Sequence, residues 1–286
     1  MEKLVAILCV FIAILSVQGG ASFAKQLFPL IGPQAATFWR ASISALILLI
    51  IYRPWMQRYS RSTLGIVALY GVCLGCMNMT FYLAIQKIPL GIAVALEFTG
   101  PLAVAILGSK KWIDGLWVLF ALLGIALILP HSDFSQSIDI SGVILALVAG
   151  AFWGIYIVMA KKVGARIPGG AATAMGLTVA SLTVVLPAIP HFALSTYTGV
   201  MWLKILAMAV LSGAIPFSLE MIALRRIPSK TFGVLMSLEP AVAAMMGLVF
   251  LSEELSSIQW LAILFVMVAS CGSSLTSRRT EVPVQP

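Results

Sequence analysis

Four ionisable side chains lie inside stretches of this sequence that are otherwise apolar enough for a membrane. They are Arg40, Glu97, Glu220 and Glu239, and each occurs within a long hydrophobic run. An ionisable group at bilayer depth costs about 2.5–3.5 kcal/mol on insertion scales, so such residues usually face a cavity and mark the path of a substrate or a proton. The chain has only ten acidic residues, and three of them are placed in this way. This placement predicts transport.

Glu97 and Glu239 occupy comparable depths in two different apolar runs. Each lies about nine residues from the point where its run enters the membrane, which at 1.5 Å per residue places both about 13 Å deep. A proline follows each acid, Pro101 after Glu97 and Pro240 after Glu239, and an interior proline frees a backbone carbonyl that can line a cavity. Because burial disfavours a charged carboxylate, such an acid can carry a proton at neutral pH. Both are predicted to act in transport, and a hydrogen bond between helices is the alternative.

Arg40 and Glu220 each allow two interpretations. Arg40 is predicted about 9 Å below the outer surface, where its guanidinium can receive a substrate carboxylate or form a structural pair with an acid such as Glu97. Glu220 lies near the inner surface, five residues before Arg225. It is interpreted either as a gate or as a side chain that extends towards cations of the next loop.

Further side chains in the apolar runs are candidates to line a cavity or to pack helices. Trp153 is at the middle of its run, away from the interface where tryptophans usually collect. Two motifs with small residues, Gly71-x-x-x-Gly75 and Gly150-x-x-x-Gly154, predict close helix contacts. The candidates to line a cavity, for each of which packing is the alternative, are Gln18, Asn78, Tyr82, Trp153 and Tyr156.

Apolar windows recur along the whole chain and must position these side chains. The 286 residues are 61% hydrophobic and 10% charged, whereas a soluble domain carries roughly 25% charged residues. Each window approaches the ~20 residues that a helix needs to cross ~30 Å of hydrocarbon. The predicted fold is therefore an all-α polytopic membrane protein with ten transmembrane helices in a lipid bilayer. The windows lie at roughly 4–24, 34–52, 63–84, 89–108, 112–130, 140–160, 172–190, 202–223, 228–251 and 258–276.

The basic residues indicate an orientation rather than a nucleic-acid partner. If both termini are cytoplasmic and the loops alternate, all but four of the 18 lysines and arginines fall on the inside. The exceptions are Lys25, Lys87 and Lys204 outside and Arg40 within the membrane. Cytoplasmic loops of membrane proteins carry this excess of positive charge. The net charge of +8 is thus explained by topology, and no binding of nucleic acid is expected.

The two halves of the chain resemble each other. A shift of 139 residues places Ile88-Pro89 on Ile227-Pro228 and Pro101 on Pro240, and a shift of 136 places Lys25 on Lys161. Each half contains five windows, and because five is odd the second half must enter the membrane in the opposite sense. Such inverted repeats place a site near the midplane between the halves. The predicted units are a first repeat (1–130, helices 1–5), a linker loop (131–139), a second repeat (140–277, helices 6–10) and a cytoplasmic tail (278–286).

Three segments resemble the EamA-type transporters of the drug/metabolite transporter superfamily. They are QGGASFAK (18–25), GIAVALEFTGPLAVA (91–105) and FSLEMIALRRIPSKTFGVLMSLEPA (217–241), and the likeness extends over nearly the whole chain. It is strongest to amino-acid exporters of the bacterial inner membrane. The resemblance implies efflux of small neutral amino acids of the threonine and homoserine type, in exchange for protons. It assigns no role to the four ionisable residues, whose roles rest on the physical argument.

The leading hypothesis is a secondary exporter that works by alternating access and is not an enzyme. The substrate would bind between the repeats, with its ammonium near Glu97 or Glu239 and its carboxylate near Arg40. No nucleotide-binding signature is present, so an ion gradient should supply the energy, and neither a cofactor nor a metal is expected. Because two pseudo-symmetric halves make a complete transport unit, a monomer is expected to suffice.

Other functions fit parts of the same pattern. One alternative is an exporter of another metabolite or of lipophilic cations, which Arg40 disfavours because a fixed cation in the cavity would repel them. Another is a facilitator that does not use protons. More remotely, the chain could be a membrane-embedded enzyme that acts on lipid-linked substrates, although its loops offer only isolated acids, the pair Glu253-Glu254 and two histidines in separate loops.

Overall fold

The described parts of the chain are almost entirely helical. A computed structural model describes residues 2–107, 111–129, 138–192, 197–224 and 226–276, and no strand is present in these ranges. Eight helical segments within them are long and apolar enough to cross a membrane. The chain is a multi-pass membrane protein, and the predicted all-α class is confirmed. The helices are α1 (Glu2–Tyr52), α2 (Arg61–Ile85), α3 (Leu90–Glu97), α4 (Thr99–Leu107), α5 (Asp114–Ile128), α6 (Ile140–Gly164), α7 (Gly169–Ala188), α8 (Gly199–Ala209), α9 (Ile215–Leu224), α10 (Ser229–Met236), α11 (Glu239–Leu251) and α12 (Ser257–Thr276).

Helix α1 differs from the sequence prediction, which placed a loop between windows 4–24 and 34–52. The helix continues through that loop and breaks only at Gly32, whose φ of 74° lies in the region that favours glycine. The break therefore lies inside the predicted gap, but the first helix extends further than its window, because polar side chains such as Lys25 and Gln26 lower the hydropathy without disfavouring a helix. Without a break, 51 residues would extend about 77 Å, more than twice the thickness of the hydrocarbon core.

Helix α5 is shorter than its predicted window of 112–130. Its 15 residues extend about 22 Å, less than a full crossing of the hydrocarbon core. In the described parts of the chain, eight segments meet the length expected of a membrane span, so the count of ten stays a prediction. Most of the predicted linker (131–139) and the whole predicted tail (278–286) lie outside the described residues.

Contacts between loops identify the two ends of the helical bundle. At one end, Lys87 in the turn between α2 and α3 forms an ion pair of 3.2 Å with Asp139, which precedes α6. Lys25 lies at the same end, where it donates a hydrogen bond of 2.9 Å to a carbonyl of that turn. At the opposite end, Arg166 after α6 donates to the hydroxyl of Ser62 at 3.1 Å. We call these the Lys25 end and the Arg166 end.

Asp139 caps the first turn of α6. Its carboxylate accepts a hydrogen bond of 2.8 Å from the backbone N–H of Ser141 and another from the Ser141 hydroxyl. The hydrogen bond from that hydroxyl, with further contributions from Lys87 and the backbone, lowers the pKa of Asp139 to about 2. Because the pKa of Asp139 is lower in the folded protein, its ionised carboxylate stabilises the fold at pH values above the ordinary pKa of 3.8. This contribution is lost as the pH falls through about 2. The cap therefore persists at physiological pH.

Glycines of α2 and α6 allow α7 and α3 to approach these helices closely, as the two glycine motifs predicted. A Cβ added at Gly150 would lie 2.7 Å from the carbonyl oxygen of Glu97 at the end of α3. A Cβ added at Gly75 of α2 would lie 2.9 Å from the carbonyl oxygen of Ala180 in α7. Contacts this close tolerate no larger residue, so they hold the segment that carries Glu97 in one position against α6.

Candidate functional site

Arg40 lies in the second part of α1, and uncharged groups from two other segments hold its guanidinium. Nε donates to the hydroxyl of Ser212 at 3.0 Å, and Nη2 donates to the carbonyl of Ser212 at 2.8 Å. Nη1 donates to the side-chain oxygen of Asn78. The ring of Tyr82 lies 5.6 Å from the guanidinium carbon, within the range of a cation–π interaction. Among the described residues no acid pairs with Arg40, so the alternative of a structural pair with Glu97 is not realised.

The guanidinium of Arg40 keeps hydrogen-bonding capacity for a further group. Of the five N–H donors of an arginine, the contacts above engage one on Nε and one on each terminal nitrogen. One N–H therefore remains on each terminal nitrogen. Two such donors in one plane match the two oxygens of a carboxylate, and the partners already present are neutral. Arg40 can therefore bind an anion without first breaking an ion pair.

Ser212 is a member of the site that the sequence analysis missed. It belongs to a π-helical segment, Val210–Ala214, between α8 and α9, and its own hydroxyl donates to the carbonyl of Met208 at 2.7 Å. Gly20 of α1 faces it so closely that an added Cβ would lie 2.7 Å from the Ser212 Cβ. π-Helical turns are frequent at functional sites. The signal in the sequence was a Ser-Gly pair within an apolar run, a combination at which helices often deform.

Glu239 and Gln18 form a buried hydrogen-bonded pair between α11 and α1. The side-chain amide of Gln18 donates to Oε1 of Glu239 at 2.8 Å, and the two residues are 3% and 7% exposed, Gln18 being the less exposed. The second carboxyl oxygen of Glu239 and the amide oxygen of Gln18 have no hydrogen-bond partner among the described residues. Buried polar atoms normally have partners. These two oxygens are therefore available to a donor such as an ammonium group.

Glu97 is the last residue of α3 and belongs to the same group of charged side chains as Glu239 and Arg40. It is 8% exposed and interacts electrostatically with both Glu239 and Arg40. Within the described ranges its carboxyl group has no hydrogen-bond partner. Pro101, four residues later, has no N–H, so the Glu97 carbonyl lacks its helical donor and lies against Gly150 instead. The structure thus brings together the two acids and the arginine that the sequence singled out.

Trp153, Tyr156 and Glu220 extend the polar region from the acids towards the Arg166 end. Trp153 packs edge-on against Phe98, next to Glu97, with ring centroids 4.9 Å apart. Tyr156 stacks on Tyr70 at 4.9 Å and accepts a hydrogen bond of 3.2 Å from its hydroxyl. Glu220 is half-buried and interacts electrostatically with Tyr156 and with Glu239.

The role of Glu220 as a gate or as a partner of loop cations stays open. In the described part of the chain Glu220 makes no ion pair. The loop cation nearest to it in sequence, Arg225, lies outside the described residues.

These side chains are complementary to a zwitterion. Arg40 offers two free donors for a carboxylate, and the oxygens of Glu239 and Gln18 offer acceptors for an ammonium. The contributing side chains come from α1, α2, α3, α11 and the π-helical segment, so relative movement of helices can assemble or open the site. In the described ranges no three His, Cys, Asp or Glu side chains are grouped so as to hold a metal ion.

Comparison with known proteins places the chain in a family. Residues 140–275 match the EamA-like transporter family. Over 96% of its length the chain is 47% identical to the threonine/homoserine exporter RhtA of Escherichia coli (strain K12), of which it covers 92%. The chain belongs to the EamA-like transporter family. This membership confirms the resemblance described above, and because RhtA is a transporter it also confirms that this EamA-like transporter is not an enzyme.

Two further comparisons extend the likeness. The EamA-like transporter is 46% identical over 96% of its length to RhtA of Salmonella typhimurium (strain LT2), of which it covers 92%. It is 25% identical over 76% of its length to the uncharacterized transporter YwfM of Bacillus subtilis (strain 168), of which it covers 75%. A solved crystal structure that is 20% identical superposes with a TM-score of 0.63, over 97% of this chain and 99% of the other, which shows a shared fold.

Proposed function

We propose that this EamA-like transporter exports small neutral amino acids such as threonine and homoserine across the inner membrane of a bacterium. The observation that carries the proposal is the 47% identity, over 96% of the chain, to an exporter of these two amino acids. The site supplies independent support, because an arginine with free donors and buried acids with free oxygens are complementary to an α-amino acid. In this mode the substrate carboxylate binds Arg40, and the ammonium binds Glu239 and Gln18.

We further propose that export is coupled to the entry of protons. Glu97 and Glu239 repel each other when both are ionised, and either a proton or the ammonium of a substrate relieves that repulsion. The two cations therefore compete for the same pair of acids. Glu97, which has no hydrogen-bond partner among the described residues, is the acid that we assign to proton exchange. A protein that must release one cation before it binds the other couples the two fluxes during alternating access.

The proposed architecture has ten spans in two inverted repeats of five helices, 1–130 and 140–277. Two features support this count: the break at Gly32 divides α1 into two helices, and α5 serves as a short span. The family match over residues 140–275 supports a boundary near the start of α6. We place both termini and the Arg166 end in the cytoplasm, with 131–139 as the linker and 278–286 as the tail. A monomer is the proposed transport unit.

Replacing the two acids separately should distinguish substrate binding from proton coupling. We expect Glu239→Gln to lower the exchange of labelled threonine about tenfold or more, since hydrogen bonds to charged groups contribute about 1.5–3 kcal/mol. We expect Glu97→Gln to keep threonine exchange but to lose the response to an imposed pH gradient. The measurement is threonine and homoserine flux in proteoliposomes, with and without the gradient. Glu254→Gln, at an exposed residue near the Lys25 end, is the control.

Three results would contradict this proposal, each at a different level. Wild-type flux that ignores the pH gradient would remove the proton from the mechanism and favour a facilitator. A fully active Glu239→Gln variant would remove that acid from the substrate site. No flux of either amino acid, in protein that keeps its helical circular dichroism, would shift the search to another metabolite or to lipophilic cations.

A further inference from the structure

Glu253 connects three separate segments at the Lys25 end. Its Oε1 pairs with Nζ of Lys25 in α1 at 2.6 Å, and its Oε2 accepts a hydrogen bond of 2.8 Å from the backbone N–H of Leu90, the first residue of α3. Lys25 also donates to the carbonyl of Ile88, just before α3. The two charged side chains are only 20% and 13% exposed, Glu253 being the less exposed. Hydrogen bonds between charged groups that water reaches poorly are the strong ones.

The backbone after α11 is shaped to place Glu253 there. Ser252 adopts a left-handed conformation with φ of 54°, an unusual one for a residue other than glycine, and this turns the chain back towards α3. The N–H of Glu253 then bonds to the carbonyl of Gly247 at 3.1 Å. The carboxylate of Glu253 packs against Gly247 so closely that any side chain at that position would collide with it. The backbone conformation at the end of α11 therefore fixes the position of Glu253.

Helix α3, whose first residue bonds to Glu253, is buried along its whole length. All eight of its residues, Leu90–Glu97, are buried. Gly91 meets α11 so closely that an added Cβ would lie 2.5 Å from the Cβ of Ala244. This contact with the side chain and backbone of Ala244 leaves no space between α3 and α11 at Gly91.

The corresponding helix of the second half is less buried. The shift of 139 residues that relates the halves places α3 on α10 and α4 on α11. No residue of α10, Ser229–Met236, is buried. Helix α10 does not pack along α4 in the way that α3 packs along α11. The contact of α3 with α11 at the Lys25 end therefore has no counterpart of similar extent between α10 and α4 at the Arg166 end.

We propose that the Lys25–Glu253 bridge is the gate that holds the Lys25 end closed while the site is open at the Arg166 end. This inference rests on the inverted-repeat architecture and the orientation given under the proposed function. Export then requires the bridge to break, so that α11 leaves α3 while α4 closes on α10. Lys161, which the repeat places on Lys25, is exposed and makes no ion pair with a described residue. Among the described residues, this interaction is therefore present at the Lys25 end, and Lys161 forms no counterpart of it.

The gate can be tested by the accessibility of a single cysteine in α3. Ala95 is fully buried and lies one turn after Gly91. The reporter is Ala95→Cys in a chain whose native cysteines are replaced. It is treated with a membrane-impermeant maleimide, added to intact cells and, separately, to inside-out vesicles. We expect Glu253→Gln and Lys25→Gln to raise labelling from outside about tenfold, because each removes a hydrogen bond between charged groups. Glu254→Gln should leave labelling unchanged.

A further variant should open the gate without changing a charged residue. Gly91→Ala should also raise labelling, because its Cβ would force α3 and α11 apart. Gly65→Ala is the matched control, since a Cβ there meets nothing within 4 Å. The charge swap Lys25→Glu with Glu253→Lys should recover part of the protection, but not the bond to the N–H of Leu90.

The labelling experiment requires no substrate, so its result is independent of what the protein exports. Unchanged labelling in folded Glu253→Gln, Lys25→Gln and Gly91→Ala variants would overturn the gate, even if threonine flux is intact. Increased labelling in a protein that does not transport threonine would support the gate and leave only the substrate to be revised. Increased labelling from the inside-out vesicles alone would support the gate and reverse the proposed orientation.

Discussion

Replacing Arg40 with glutamine should lower the export of threonine by about 100-fold, and Arg40→Lys should lower it by about tenfold. In the proposed binding mode, glutamine removes both the charge and the two free donors that would bind the substrate carboxylate, a loss of about 3 kcal/mol for a charged hydrogen bond. Lysine restores the charge but not the planar pair of donors. The large difference between the two variants is the signature of a bidentate contact with a carboxylate.

The measurement is the exchange of labelled threonine in proteoliposomes, repeated with an amino alcohol that lacks the carboxylate. The amino alcohol should be carried poorly by the wild type and no worse by Arg40→Gln. Arg61→Gln, at an exposed residue that begins α2, is the control. Because Arg40 also holds Ser212 and Asn78, the melting temperature of each variant must be compared. Unimpaired exchange in Arg40→Gln would show that the residue only joins helices.

Gly100→Ala should be the most destabilising single change that the structure indicates. A Cβ at this position of α4 would fall on the carbonyl oxygen of Gly150 in α6, and a backbone group cannot move aside as a flexible side chain can. Overpacking of this kind costs about 1–3 kcal/mol or more. The same crossing positions Glu97, so the remaining folded protein should also transport slowly.

Thermal unfolding in detergent is the appropriate readout for this variant. We expect a melting temperature lower by roughly 10 °C, together with a lower yield from the membrane. Gly115→Ala in α5 is the matched control, because an added Cβ there meets nothing within 4 Å. Alanine is the better helix former by about 1 kcal/mol, so the control should melt at the same temperature or slightly higher. Equal melting of both variants would contradict the close crossing of α4 and α6.

The helices, and the ionisable side chains that form the candidate site, could be selected from the sequence because both follow from the bilayer as a solvent. Long apolar windows report directly on the membrane, where helices satisfy every backbone group internally. A charged residue in such a window is costly, which is why Arg40, Glu97, Glu220 and Glu239 could be selected from the sequence. The close helix contacts at the two small-residue motifs could also be predicted, since side-chain volume limits how closely helices approach.

The pairing of side chains across helices could not be predicted in the same way. Gln18 with Glu239, Arg40 with Ser212 and Lys25 with Glu253 depend on rotations and crossing angles of helices, which one sequence does not specify. The continuation of α1 to Gly32 was missed because hydropathy falls at polar residues whether or not the helix ends. The Ser-Gly pair at Ser212 indicates that the helix can deform there, but not that the Ser212 carbonyl turns towards Arg40.

In the proposed mechanism, the burial of all eight residues of α3 has a bioenergetic consequence. An antiporter whose acids were open to the periplasm while no amino acid was available would offer protons a route down their gradient. Under the proposed coupling and orientation, the packing of α3 along α11 would leave the two carboxylates to be protonated from the cytoplasm alone, where protons are scarcer. An idle transporter would then conduct no proton current, and the respiratory energy of the cell would be drawn on only when an amino acid is ready to leave.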